Sequence, residues 1–162
     1  MKKILLFLLL SLNLQSFGQN AAIKKAYAFS SPVVYGNAPA DSNDKKPENN
    51  FLVYVEISSS TILKIATAWI GNISYTVNST TIKEKIVNVG ESISGKKIKI
   101  STPKGNKILL LEFSPDDKQK KIPATSKNRK AGTIILELMY KNKKSYYSTP
   151  SIIQLKTDLS VL

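Results

Sequence analysis

The fold is decided most clearly by residues 51–57, Phe51-Leu52-Val53-Tyr54-Val55-Glu56-Ile57. Successive side chains of an extended strand point to opposite sides, so the odd-numbered residues, all apolar, would share one face. Leu52, Tyr54 and Glu56 would share the other. This two-residue period is typical of a strand that packs on a core.

The same alternation recurs along the chain, whereas helical periodicity is nearly absent. Residues 65–70, which contain Trp69, and residues 73–77 flank Gly71-Asn72, and this arrangement predicts a β-hairpin with a tight turn. Further strands are predicted in the ranges 23–35 (interrupted at Pro32), 82–89, 96–100, 108–113, 134–140, 146–147 and 152–159. About seven to nine short strands at spacings of about ten residues predict an all-β fold, a single antiparallel β-sandwich. An immunoglobulin-like topology is the first expectation, and a jelly roll or small barrel is the second.

Two polar stretches interrupt this pattern, at about residues 37–50 and 114–131. The second contains six cations against two acids. Loops longer than about 12–15 residues inside a compact domain are usually functional or disordered. Both stretches are therefore predicted to be mobile loops.

The N-terminus has the pattern of an export signal. Lys2 and Lys3 precede the unbroken apolar run 4–10, and Ser16 and Gly18 supply small residues before a cut at Gln19. The apolar run is much shorter than the roughly 20 residues that cross a bilayer, so no transmembrane span is expected after cleavage. The sequence contains no cysteine, so a thioether-linked lipid is excluded. We therefore expect a signal peptide at 1–18 and one domain at 19–162, exported to the periplasm or the outside of the cell.

The chain is strongly basic, with a formal net charge of +13. Loss of Lys2 and Lys3 would leave 22 cations against 11 acids, a net charge of +11, and Arg129 is the one arginine. A lysine-rich surface attracts anions diffusely and with strong salt dependence. Lysine also keeps a β-protein soluble and protects its sheet edges. Both interpretations remain open, and the near-absence of arginine, together with export, argues against a nucleic-acid partner.

The absence of histidine and cysteine removes most catalytic and metal-binding chemistry. No catalytic residue, metal site or cofactor is predicted, and the protein is expected not to be an enzyme. Glu56, Glu112 and Glu137 each lie within an apolar strand and are expected to point to solvent. Clustering of these three acids in a cleft would instead support a carboxylate-dependent hydrolase, the least favoured function.

The predicted binding residues surround one lysine-rich turn: Tyr140, Lys141, Lys143, Lys144, Tyr146 and Tyr147. Tyrosine combines rigid apolar area with a hydrogen-bonding tip, which suits interfaces and glycan stacking. We therefore expect a binding or adhesion-type module for a protein partner or an anionic glycan of the cell envelope. The alternative is a structural or accessory subunit of an exported assembly that exchanges strands at its sheet edges. The oligomeric state is left open.

Overall fold

The computed structural model describes residues 22–32, 49–124 and 132–156. The predicted signal peptide, most of the first predicted loop and residues 125–131 of the second lie outside the described residues. The described part is all-β, with no α-helix. Its ten strands are β1 Lys25–Pro32, β2 Asn49–Ser58, β3 Lys64–Ile70, β4 Ile73–Ile82, β5 Ile86–Glu91, β6 Lys97–Ser101, β7 Asn106–Pro115, β8 Ile134–Tyr140, β9 Lys143–Ser148 and β10 Ile153–Gln154.

Eight strands form one mixed sheet in the order β10-β1-β2-β7-β4-β3-β8-β9, and β5 and β6 form a small second sheet. The sheet is mixed because β10 runs parallel to β1, while the other pairs are antiparallel. The strand order was not predictable from local pattern, since β1 pairs with the chain end and β7 lies between β2 and β4.

The eight-stranded sheet is curled. Ala28 of β1 and Leu136 of β8 belong to one buried cluster together with Val55 of β2. In a flat sheet β1 and β8 would be separated by five strand spacings, about 24 Å. The sheet must therefore fold over so that these strands pack against each other.

A second buried cluster lies on the other side of β1, β2 and β7. Phe29, Tyr54 and Ile108 form it with Ile100 of β6, so the small β5-β6 sheet covers this face. Strand β2 is consequently buried on both sides. The alternation predicted for residues 51–57 is confirmed, but the face that carries Tyr54 is covered as well.

Several predicted strand boundaries need correction. Strand β4 continues to Ile82, which pairs with Ile108, so the strand predicted at 82–89 begins only at Ile86. Strand β7 extends to Pro115, which pairs with Tyr75, so the first two residues of the predicted 114–131 loop belong to a strand. Strand β2 likewise begins at Asn49, inside the predicted 37–50 loop, and β9 begins at Lys143, three residues before the predicted strand at 146–147. In each case pairing with a neighbouring strand prolongs an element whose own sequence is polar.

The hairpin predicted around Gly71-Asn72 is confirmed, and a second two-residue turn, shorter than the lysine-rich turn predicted before the strand at 146–147, connects β8 to β9. Ile70 pairs with Ile73 across Gly71-Asn72, and Gly71 has a φ of +60°, which glycine adopts at little cost. Tyr140 pairs with Lys143 across Lys141-Asn142. Both residues of this second turn have positive φ, 49° and 59°, as a type I′ turn requires.

Candidate functional site

The hairpin of β8 and β9 holds all six predicted binding residues, and β9 is the outermost strand at its end of the sheet. The structure divides the six between two faces. Tyr140 pairs with Lys143, and Tyr147 lies opposite Leu136 on the same, core-facing side. Lys144 and Tyr146 lie on the opposite face, and Lys141 lies in the turn.

The tyrosines of this hairpin pack against the protein. Tyr140 and Tyr147 are half-buried against the large core cluster, and burial raises the pKa of the Tyr147 hydroxyl. Tyr146 makes an edge-to-face contact with Trp69, with 6.1 Å between the ring centroids. The three rings therefore anchor the hairpin and do not form one flat stacking platform.

The lysines differ in how far their charge is compensated. Lys144 Nζ donates to Glu137 Oε2 at 3.1 Å, and this hydrogen bond, with the charge of the carboxylate, raises the lysine pKa. Lys141 and Lys143 are exposed, and Lys141 Nζ lies 5.2 Å from the centroid of the Tyr140 ring. The tip of the hairpin thus presents two cations to solvent on an anchored scaffold.

Residues 116–120 form a polar cover that sequence reasoning missed. Lys120 N donates to Ser74 Oγ at 2.9 Å, and Ser74 N donates to Gln119 Oε1 at 2.8 Å. Trp69 Nε1 donates to the Lys120 carbonyl at 3.1 Å. Within this cover a hydrogen bond from the Thr76 hydroxyl is the largest cause that lowers the pKa of Asp116. One signal was available in the sequence, because a strand tryptophan needs an acceptor for its indole N–H when it is buried.

The three strand glutamates do not come together. Glu112 is exposed and Glu137 pairs with Lys144, whereas Glu56 is 7% exposed. The prediction that Glu56 points to solvent is wrong, because the β5-β6 sheet covers its face. Its carboxylate accepts a hydrogen bond from Asn106 Nδ2. In residues 22–32, 49–124 and 132–156, no group of three acids is placed to hold a metal ion.

An open groove of about 740 Å³ lies at the end of β2 and β7. Phe51, Tyr75 and Phe113 supply its aromatic wall, with 6.3 Å between the Tyr75 and Phe113 ring centroids, and Glu112 and Asn50 supply polar groups. Residues beside the undescribed stretch 33–48 form part of its rim. The groove was not predicted from the sequence, because its lining comes from four separate strands.

Comparison with protein-family models, curated proteins and solved structures finds no match to this chain. In the described part of the chain, no helix has the length and apolar character needed to span a bilayer.

Proposed function

We propose that this protein is an exported, non-enzymatic binding module whose cationic β8-β9 hairpin contacts an anionic surface of the cell envelope. The surface belongs either to a glycan or to a protein partner. In both cases lysine ammonium groups would bind acidic groups of the partner. No cofactor or nucleic acid takes part in this proposal.

The proposed architecture is a β-sandwich. One layer would hold β10, β1, β2, β7 and the second half of β4, and the other would hold the first half of β4 with β3, β8 and β9. Packing of β1 and β2 against β8 in one cluster supports this division. The immunoglobulin-like topology stays a prediction, with the jelly roll and the small barrel beside it.

The conformation of Lys141 carries the functional proposal. A non-glycine residue in the left-handed region costs roughly 1–2 kcal/mol, and asparagine or glycine fits such a turn position better. Lys141 has a φ of +49° and lies at the exposed tip next to Lys143. A backbone conformation that lowers stability at an exposed residue suggests that the residue has a role in binding.

The double variant Lys141→Asn, Lys143→Gln is expected to bind an anionic polysaccharide column several-fold more weakly at low salt, and therefore to elute at a lower salt concentration. The same protein should be as stable as the unmodified one or more stable, since asparagine relieves the turn. Salt elution and chemical denaturation measure the two effects.

The matched control removes two exposed lysines at the small sheet, Lys96 just before β6 and Lys99 within it, through Lys96→Gln and Lys99→Gln. The two double variants have the same net charge, so a general charge effect would weaken both equally. Equal elution of both variants would contradict a role for the hairpin, and so would retention that persists unchanged in molar salt.

Export is tested by N-terminal sequencing of the protein secreted by its native cell or a bacterial host. The chain is expected to begin at or near Gln19, because Gly18 completes the small-residue cleavage site. A mature protein that begins at Met1 would contradict the export half of the proposal and leave the hairpin experiment unaffected.

The second candidate, a subunit that exchanges strands with other proteins, is favoured by one specific observation. Among the described strands, residues 77–82 of β4 pair with a neighbour on one side only, β7.

A further inference from the structure

We propose that the second half of β4, residues 77–82, is an acceptor edge that binds an extended, acidic segment of another protein as an added strand. The inference rests on one part of the proposed function, that the chain is an exported binding module, and it names a partner class for that module. It concerns a different surface from the β8-β9 hairpin.

The edge exists because β3 leaves β4 halfway along its length. Strand β3 pairs with β4 only from Ile73 to Thr76, and its first residues pair with β8 instead. Strand β7 pairs with β4 from Tyr75 to Ile82. Over residues 77–82, β7 is therefore the one paired neighbour among the described strands.

The register indicates which backbone groups face the open side. A two-residue turn makes Ile70 and Ile73 a hydrogen-bonded pair, so alternate residues from Ile73 onward point their N–H and C=O toward the β3 side. The intervening residue Ser74 points the other way, since its carbonyl accepts from Asp116 N at 3.2 Å.

This alternation continues into the open segment, because β4 pairs with β7 without a register shift from Tyr75 to Ile82. Val77, Ser79 and Thr81 therefore direct their backbone N–H and C=O groups to the open edge. Three such residues offer up to six hydrogen-bonding groups along about 14 Å of strand.

The open segment lacks the devices that usually protect a sheet edge. Natural edges are short, carry lysine or proline, or contain a bulge. Strand β10 is only two residues long, and β9 carries Lys143 and Lys144. Residues 77–82, Val-Asn-Ser-Thr-Thr-Ile, contain no charge and no proline, and the four central residues are exposed. The outer edges of the sheet, at β10 and β9, are thus protected by short length or by lysine, and residues 77–82 of β4 have neither protection.

Charge complementarity selects the occupant. Lys83 and Lys85 follow the open segment directly, and Lys64 lies at the same end of the sheet because β3 and β4 are antiparallel. Two acids, Glu84 and Glu112, are also near, so the surroundings are positive by a small margin. A second copy of the exported chain would be repelled because its own net charge is also positive, +11 after the loss of residues 1–18, whereas an acidic segment is attracted. Strand addition to an edge supplies main-chain hydrogen bonds, and the flanking charges supply selectivity.

The probe is a fluorescein-labelled peptide of about eight residues that alternates valine and threonine and ends in aspartate on both sides. Fluorescence anisotropy should show that this peptide binds the unmodified full chain saturably, with a Kd below about 1 mM. A peptide with lysine at both ends should bind at least about threefold more weakly at low salt. A peptide of the first design with a central proline should not bind, since proline cannot join the ladder.

Ser79→Pro removes an edge N–H and is expected to weaken binding of the acidic peptide at least about tenfold, through the lost hydrogen bond and the blocked approach of the strand. Ser79→Ala keeps the N–H and is the matched control, with binding unchanged. Thr81→Pro repeats the test at the next edge position if circular dichroism shows that Ser79→Pro does not fold.

Three results with the peptides would overturn the proposal: no binding to the unmodified chain, equal loss in Ser79→Pro and Ser79→Ala, or binding of the lysine-ended peptide that is as tight as that of the acidic peptide or tighter. A dimer that Ser79→Pro abolishes would overturn it in favour of a second copy. Ser79→Pro should elute from the anionic polysaccharide like the unmodified protein. If hairpin variants leave polysaccharide retention unchanged while the peptide result holds, the hairpin proposal fails and the edge proposal stands.

Discussion

Trp69→Ala is expected to lower the free energy of unfolding by about 3–5 kcal/mol, as large truncations of buried aromatic residues do. Trp69 is 2% exposed and lies between Ser74 and Ile135 on the outer side of the sheet. The indole holds the Lys120 carbonyl through its N–H and supports the ring of Tyr146. Its loss would open a cavity and release both elements that cover it. Chemical denaturation measures the change.

Two variants separate the parts of this effect. Trp69→Phe keeps an aromatic ring but removes the N–H donor, so we expect a smaller cost of about 1–2 kcal/mol. Ile73→Ala, on the neighbouring strand, shortens a side chain that is 49% exposed and should stay within about 0.5 kcal/mol of the unmodified protein. A cost below about 1.5 kcal/mol for Trp69→Ala would contradict the packing described for this side of the sheet.

A local readout belongs to the same prediction. Native-state trypsin cleavage after Lys118 or Lys120 should become faster in Trp69→Ala, because residues 116–120 lose their anchor. Leu136→Ala, a truncation in the large cluster away from this cover, is the matched control and should accelerate these cuts only in proportion to its global destabilisation. If Trp69→Ala and Leu136→Ala lower the free energy of unfolding equally and accelerate these cuts equally, then Trp69 does not hold residues 116–120.

The sequence predicted the strands well where side-chain alternation carries the information. The run 51–57 and the hairpin around Gly71-Asn72 are both present, and Lys97–Ser101 exposes its lysines while Ile100 is buried. In these elements, whether a side chain is buried or exposed follows from its odd or even position in the strand and from its neighbours along the chain. Local pattern therefore suffices.

Alternation does not reveal what covers the second face of a strand. Glu56 was expected to face water because a half-buried antiparallel strand has one solvated side. Its side is instead covered by β5 and β6, whose position depends on packing between residues far apart in sequence. The same limit applies to residues 116–120, where polarity indicated a loop although the polar groups bind Ser74.

The candidate site was predicted as a hairpin but not as two faces. Successive side chains of β9 point to opposite faces of the sheet, so the adjacent residues Tyr146 and Tyr147 lie on different faces. The edge of β4 was not predictable from its own residues at all. It arises from the departure of β3 toward β8, and Ile65 to Thr67 is the place where that pairing shifts register.

Asn106→Ala is expected to cost about 2–3 kcal/mol of unfolding free energy, because it leaves the buried Glu56 carboxylate without its Nδ2 donor. Lys25 lies opposite Glu56 in the register of β1 and β2 and attracts its carboxylate electrostatically, but the two make no ion pair within 4 Å among the described contacts. A buried charge that loses a hydrogen bond bears most of its desolvation penalty. Thermal or chemical denaturation gives the value.

The decisive comparison is a double-mutant cycle. Glu56→Met with Asn106→Ala removes both polar groups, and replacement of both partners by apolar groups can be close to neutral. The double variant should therefore be more stable than Asn106→Ala alone, by at least about 1 kcal/mol. Glu112→Gln, at an exposed strand glutamate, is the control and should change stability by less than about 0.5 kcal/mol. Additive losses in the cycle would mean that Glu56 and Asn106 act independently. Coupling would mean that the Glu56 carboxylate, buried on the face that the second sheet covers, depends on its Asn106 donor.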